Sequence, residues 1–377
     1  MPPKRKGSSK KGKKSGWLRK IGLGINFILV VVTLLACISP YISPEKFWLP
    51  AFAGLTYPFL LMANLLFILF WLVVSPRISL VSLAALLVGA GMFFNHFQFH
   101  YPDEFDRNAP EVIRVTTHNV RNFEIWGKYS VPDYTTYDRM LNFYRSDSAD
   151  ILCLQEAVIS HERVGNLAEK TGKSLGYPSL ARAAYINGGV NGMLIFFRGT
   201  KKNSGIITHS GRTIAVFADA ELPQGTFRVY NVHLQSNRIG GEEYVMERLG
   251  PEAYRDSLFL RGSRVIARKI RLAGRIRAQQ AEILREHISS SPYPVIVCGD
   301  LNDTPASYTY AKVRKGLQDT FAKAGRGFGR TYRGTYPSYR IDYIFASPAF
   351  NVNSHTVQRY KLGDHNPVSA WLSSPVP

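Results

Sequence analysis

The stretch VIVCGDLNDTP, residues 295 to 305, decides how the chain is read. Four residues suited to a buried strand, Val295, Ile296, Val297 and Cys298, run into Gly299. Asp300, Asn302 and Asp303 then crowd a turn that Pro305 closes. Gly, Asp, Asn and Pro are ordinary turn residues, so a single strand end of this kind has a purely structural explanation. The pattern recurs, however, at Asn119 in THNV, Glu156 in DILCLQE, His233 in VYNVHLQS, Asp342 in RIDYIF and Asp364-His365 in GDHNP. Strand ends of a layered α/β domain converge on one edge of the sheet, which would gather these groups in one cleft.

Around that stretch, VIRVTTHNV, DILCLQE, NGMLIFFR, TIAVFADAEL, FRVYNVHLQS, YRIDYIFAS, residues 350–359 and PVSAWLSS also read as strands. Residues 137–148, 162–175 and a long tract before Val295 read as helical. Mixed strands with helices inserted at intervals predict an α/β or α+β domain with one core, spanning 112–374. A polar, Pro-bounded linker, 98–111, precedes it.

The first hundred residues have another character. Positions 4 to 20 hold nine Lys or Arg and no acid, and three apolar stretches follow at 21–38, 49–74 and 78–97. Each is near the ~20 residues that cross a bilayer as a helix. A cleaved signal peptide begins similarly, but here the apolar run is long, no small-x-small site follows, and two more apolar segments do. Three transmembrane helices are therefore expected after a basic cytoplasmic tail, 1–20, which makes the lipid bilayer a partner. The positive-inside rule then puts everything after Phe97 on the extracytoplasmic side; with two spans the domain falls inside instead. No protein partner is implied.

Cys37, Cys153 and Cys298 each lie in an apolar run and read as small buried hydrophobes, without a disulfide framework. From residue 98 onward, 36 Lys and Arg face 26 Asp and Glu. That excess suits a polyanion or an anionic membrane surface. Within 255–285 nine basic residues face only Asp256 and Glu282, with Ile266, Ile270, Ile276 and Leu284 at near-helical spacing. The tract is either a solvated helix packed on the domain or a basic helix lying on phosphate headgroups or nucleic acid.

The strand-end residues make chemical sense together. Glu156, Asn119 and Asp364 offer hard oxygen ligands of the kind Mg²⁺ or Mn²⁺ takes, and no Cys/His cluster suggests zinc. His233 and His365 suit phosphate contact and proton movement near neutral pH. Asp342 can fix the tautomer of an imidazole, and Asp300 can orient or deprotonate a water. Gln155, Asn231 and Gln235 read as supports for loops. Each residue alone has an ordinary structural role, and only their joint placement argues for a site.

In this order, the Asn strand, QE, N-x-H-L, GDxN, ID and DH motifs resemble the endonuclease/exonuclease/phosphatase superfamily of metal-dependent phosphoesterases, from about Val112 to Leu372. The resemblance implies a four-layer sandwich, two facing mixed sheets flanked by helices. It implies that Glu156 binds the metal with Asn119 close by, and that Asp364 completes the metal or histidine shell. Asp300 would activate the attacking water while Asn302 holds the phosphate. His233 and His365 would stabilise the transition state or protonate the leaving oxygen, with Asp342 paired to His365. The expected substrate is a phosphate ester, whether phospholipid, nucleotide or nucleic acid.

Departures bear on that choice. Gly363 stands where the family commonly has Ser, YRIDYIF lacks the Trp-Cys-Asp-Arg type motif of the inositol phosphatases, and the histidine of NVHL is missing from abasic endonucleases. Two other readings stay open. One is an extracytoplasmic nuclease, for which the positive domain argues; the other is a catalytically silent, membrane-tethered binding module, against which stand Glu156, Asp300 and His365.

Overall fold

The near-continuous apolar runs of the domain form strands that are covered on both faces, as the composition of VIVCG and GMLIFF requires. The computed structural model describes residues 10–101, 104–125, 132–237, 257–334, 339–360 and 362–374; the start of the basic tail and residues 238–256 of the basic tract lie outside them. One six-stranded sheet runs Asn351–Val357, Val368–Ser373, Val112–Asn119, Ile151–Val158, Asn191–Phe197, Ser179–Ala184. The other runs Gln318–Asp319, Asp342–Ala346, Val295–Asp300, Gly225–His233, Arg212–Leu222, Thr200–His209.

Each sheet has one parallel pair at its centre, Val112–Asn119 with Ile151–Val158 and Gly225–His233 with Val295–Asp300. A parallel pair needs a crossover, and the helices Thr135–Asp147 and Ser257–Ser289 supply the two. Parallel strands end on the same edge, and their antiparallel neighbours begin there. All six motifs are thereby sent to one rim.

Every strand expected from the sequence forms. Those missed in the two large sheets, Ser179–Ala184, Thr200–His209 and Gln318–Asp319, are edge strands, and a separate short pair, Gln98–Phe99 with Arg326–Gly327, was not expected either. An edge strand need not be apolar on both faces, and TKKNSGIITH is exposed along most of its length.

The core is layered. Ile113, Ile195, Phe197, Val216, Val229, Ile296 and Ile344 fill the space between the sheets, where Cys153 and Cys298 lie as buried free thiols. The outer face of the first sheet buries Tyr137, Met140 and Leu167 from the helices Thr135–Asp147 and Leu167–Leu175. That of the second buries Ala281, Leu284 and Ile288 from Ser257–Ser289. The result is the expected four-layer sandwich.

The N-terminal region differs in detail from the three expected spans. Helices Lys10–Ile38 and Tyr57–Val74 contain stretches long and apolar enough to cross a membrane, with mean hydropathy 2.7 and 2.2. The stretch 49–74 breaks at Thr56, because Pro58 lacks the N–H needed to continue the short helix Leu49–Leu55. The third expected span is a pair, Pro76–Val88 and Ala90–His96, bent by 60°. At the bend the Tyr57 hydroxyl donates to the Gly89 carbonyl (3.0 Å). Asn64 donates to Thr33 (2.8 Å) and Ser82 to Asn26 (2.7 Å), buried bonds that hold the helices together where no water competes.

Helix ends meet the domain on one side. Ser39 donates to the Ala306 carbonyl, Tyr339 to that of Leu55 (2.8 Å) and Arg340 to that of Asn95 (2.7 Å). Arg340 is buried, 2.9 Å from Asp319 and stacked over Phe321 at 4.4 Å. Burial alone would raise the Asp319 carboxyl, but the Arg340 charge and hydrogen bonds from Arg340 and Tyr310 hold it below the usual range. Arg340→Met leaves a buried carboxylate unpaired, an expected loss of about 3–5 kcal/mol at neutral pH by denaturant unfolding. A depressed carboxyl stabilises above its unfolded value of about 3.9 and stops doing so in acid, so the deficit should narrow below about pH 4. A deficit that does not change with pH would contradict this role for the pair.

Candidate active site

Backbone register sets three titratable groups in a row. Asp342 pairs with Asp300 across antiparallel strands, and Asp300 pairs with His233 across the parallel pair. Gly299 makes the close approach possible: its φ is +134°, and a Cβ there would sit 2.0 Å from the Val232 carbonyl oxygen. The strand and turn of VIVCGDLND thus serve to bring Asp300 against its neighbours. Left-handed backbone clusters around the row, at Glu156 (φ 52°), Asn302 (φ 53°) and the four consecutive residues 121–124 (φ 42–58°). Glu156 lies where the register of its strand shifts between Leu154 and Ala157, which turns its carboxylate out of the core. Such conformations cost free energy in non-glycine residues and persist where a site fixes them.

The side chains form one connected group. Asn119 donates to Glu156 and to Asp300, each at 3.1 Å. His233 Nε2 lies 3.4 Å from Glu156 and 3.8 Å from Asp300, and its buried ring nitrogens have no hydrogen-bond partner among the described residues. His365 donates through Nδ1 to both Asp342 oxygens (2.9 and 3.1 Å), leaving Nε2 3.9 Å from Asp300. The Asn302 N–H donates to Asp300 (2.7 Å) and its amide to the Leu234 carbonyl (3.1 Å). Asp364 sits 3.7 Å from Arg121 and lines the same cleft as Glu156, Asp300, Asn302 and His365. All eight residues singled out in the sequence therefore border one place.

Their charges are pushed apart. Burial would lower His365, but Asp342, then Asp300 and Asp364, raise it to about 10, so it is a cation at neutral pH. Burial lowers His233 to about 4 against the pull of Glu156, which keeps that ring neutral. Burial and the Asp342 charge raise Asp300 to about 7. One charged and one neutral imidazole on either side of a carboxyl that titrates near neutrality is a proton-handling arrangement.

Two sets of groups compete as a cation site. Asp300, Asp342 and His365 offer atoms within 4.8 Å of one another. Their contacts are those of a hydrogen-bonded imidazolium pair, however, and a protonated ring has no lone pair to give. Glu156 and Asp364 are acids outside that pair, and Asp364 Oδ1 is buried with no hydrogen-bond partner among the described residues. Hard oxygens of this kind fit Mg²⁺ or Mn²⁺.

Some contributors escape sequence reading. The Tyr185 hydroxyl accepts from the Glu156 N–H (2.7 Å), Tyr332 packs against the His365 ring at 5.1 Å, and His118 Nε2 lies 3.3 Å from the His365 carbonyl. None carries a local signal apart from His118, which adjoins Asn119. Gln155 and Asn231, read as loop supports, instead tie the two sheets together: Gln155 donates to Asn231 (2.6 Å), which donates to the Leu154 and Leu194 carbonyls (2.8 Å each). The Gln235 loop is held by the Gln280 side chain, whose oxygen accepts from the Gln235 backbone N–H (2.9 Å), while the Gln235 amide donates to the Ser236 carbonyl (3.0 Å). In the basic tract, Arg264, Arg268, Arg271 and Arg275 are exposed, but Arg277 is buried against Asp303 at 3.0 Å. The tract combines a packed half with an exposed basic face.

Residues 116–369 match the model of the endonuclease/exonuclease/phosphatase family. The chain belongs to this family. Residues 19–96 match a model described as a domain of unknown function. No curated protein matches the chain in sequence. Among solved structures, an endonuclease/exonuclease/phosphatase from Beutenbergia cavernae DSM 12333 is similar at 18% identity and TM-score 0.50, over 70% of this chain and 72% of that one. A family member from Bacteroides vulgatus is similar at 21% identity and TM-score 0.48, over 70% and 99%. The human Nocturnin catalytic domain is similar at 19% and 0.49, over 70% and 95%. The first of these shares the fold of this family member.

Proposed function

We propose that this family member is a membrane-anchored, divalent-metal-dependent phosphoesterase whose catalytic domain, 112–374, is carried by the N-terminal helices through the linker 98–111. The observation that carries the reading is the row His233, Asp300, Asp342 with His365 hydrogen-bonded to its end. Glu156, with Asn119 close by and Asp364 in the same cleft, would hold Mg²⁺ or Mn²⁺, which would supply charge neutralisation at the phosphate. Asp300 takes a proton from the attacking water, whose oxygen bonds to phosphorus as the bond to the leaving alcohol breaks. Asn302 holds a phosphate oxygen. His365, fixed and charged by Asp342, faces the growing negative charge and can return a proton to the leaving oxygen. Neutral His233 donates a hydrogen bond to the same phosphate. Hydrolysis of bis(p-nitrophenyl) phosphate or p-nitrophenyl phosphate by the full chain with Mg²⁺ tests the reading, and the absence of both with every divalent metal would count against it.

The domain is assigned to the extracytoplasmic side. Arg19 and Lys20 open the first apolar span and Arg77 follows the end of Tyr57–Val74, whereas the contacts of Ser39, Leu55 and Asn95 with the domain lie at the opposite ends of the spans. A phosphatase reporter fused after Pro377 should be active only when exported. Activity confined to a cytoplasmic reporter would reverse the assignment.

A further inference from the structure

The cleft over the polar row measures about 280 Å³, and its lining comes from different parts of the chain. Glu156, Asp300, Asn302 and His365 line it. Pro44, Trp48, Ala51, Phe52 and Leu55 also line it, an apolar group from the loop and short helix that join the first apolar helix to the second. This segment is fixed in place. Tyr339 donates to Leu55 (2.8 Å), Gln279 to Glu45 (2.5 Å), and the Arg271 guanidinium lies 5.2 Å over the Trp48 ring. Trp48, Ala51, Phe52 and Leu55 nevertheless stay only partly buried.

Nucleic acids and sugar phosphates are polar on every side of the phosphate next to the sugar, and proteins meet them with cationic grooves. Of the two arginines lining the cleft, Arg277 is paired with Asp303 and Arg271 lies over Trp48, so a sugar phosphate finds few partners along Pro44, Ala51 and Leu55; a nucleobase can stack on Trp48 or Phe52, and single-stranded DNA is therefore an arm of the test. The position of the apolar group adds to the argument: residues 39–56 connect the ends of two membrane-length helices, and aromatic residues there favour the boundary between headgroups and hydrocarbon.

We propose that the substrate is a membrane lipid phosphate ester, with its phosphate among Asp300, Asn302 and His365 and the first carbons of its chain along Trp48, Phe52 and Leu55. This assignment rests on the phosphoesterase reading. With residues 39–56 at the headgroup boundary, the cleft they line would lie at the level of the bilayer phosphates, and a lipid would need little displacement to reach it. Exposed Arg264, Arg268 and Arg275, on the helix that passes Trp48, face neighbouring anionic headgroups.

The test uses the full chain in detergent with Mg²⁺ and two series of esters. One is a diester series from glycerophosphoglycerol to dibutanoyl, dihexanoyl and dioctanoyl phosphatidylglycerol; the other is a monoester series from glycerol 3-phosphate to the same phosphatidic acids. Each methylene that leaves water is worth about fourfold, so kcat/KM in one series should rise at least about a hundredfold from the chain-free ester to the dihexanoyl one. The series that responds tells diester from monoester. Phe52→Asp and Trp48→Ser should each cut the ratio of dioctanoyl to chain-free kcat/KM by about tenfold or more. Equal rates on chain-free and acylated esters, or faster cleavage of single-stranded DNA than of any lipid, would overturn the lipid assignment while leaving the phosphoesterase. No hydrolysis of any ester, bis(p-nitrophenyl) phosphate included, would remove the parent reading and this one with it.

Discussion

Replacing His365 by Ala is expected to lower kcat/KM for phosphoester hydrolysis by at least about 10³-fold. Two effects are lost at once, a charged donor aimed at the phosphate and a proton source for the leaving oxygen, each typically worth about 10²–10³-fold or more. The charge is not incidental. Burial alone would neutralise the ring, and Asp342, Asp300 and Asp364 reverse that and hold it protonated to about 10. His233, a few ångströms away, is kept neutral at about 4, so it cannot substitute for the lost cation. His365→Ala also leaves Asp342, which is 1% exposed, without its partner, and lost activity has to be separated from lost folding. His365→Asn does so, since its amide N–H can still donate to Asp342 while carrying neither charge nor a transferable proton. Near-normal unfolding with the same loss of activity would place His365 in the chemistry. A variant within about tenfold of the parent would remove it from the mechanism.

The site was legible because each of its residues ends or begins a strand, and a strand is the element that sequence pattern marks best. VIVCG and FRVYNVH are apolar runs with an abrupt polar end, and the parallel register that sets His233 beside Asp300 follows from the crossover between them. What was not legible depends on contacts between distant segments. The polar edge strand Thr200–His209 has no buried face to announce it. Tyr185 and Tyr332 look like any other tyrosine until the chain folds them against Glu156 and His365. The break at Thr56 matters most: 49–74 reads as one apolar stretch, and only the structure separates the helix Tyr57–Val74 from Leu49–Leu55, the part that lines the cleft. Hydropathy measures how apolar a segment is and says nothing of whether it faces lipid or an active site.

Chelation should eliminate hydrolysis, and Mg²⁺ or Mn²⁺ should restore it. In the metal-free protein Glu156, Asp300 and Asp364 bring carboxyl groups to the place where an anionic phosphate has to bind, while Arg121 lies 3.7 Å from Asp364 and His365 is hydrogen-bonded to Asp342. Each of these cations is already matched by a carboxylate, so the substrate meets excess negative charge until a divalent cation reverses the balance. An oxygen site of this size binds a hard cation weakly enough for EDTA to strip it. Glu156→Gln removes one formal charge while keeping an oxygen and nearly the same shape, so it should raise the Mn²⁺ concentration for half-maximal activity by about 10–100-fold. The Asn119 amide, which donates to both Glu156 and Asp300 at 3.1 Å, should keep the altered side chain in place. Calorimetric titration with Mn²⁺ gives a second readout that does not depend on turnover, and the affinity should fall in parallel. Full activity in excess chelator would exclude a dissociable metal. An unchanged Mn²⁺ requirement in Glu156→Gln would move the ligand role from Glu156 to the carboxylates of Asp300 and Asp342, and with it Asp300 from proton acceptor to metal ligand.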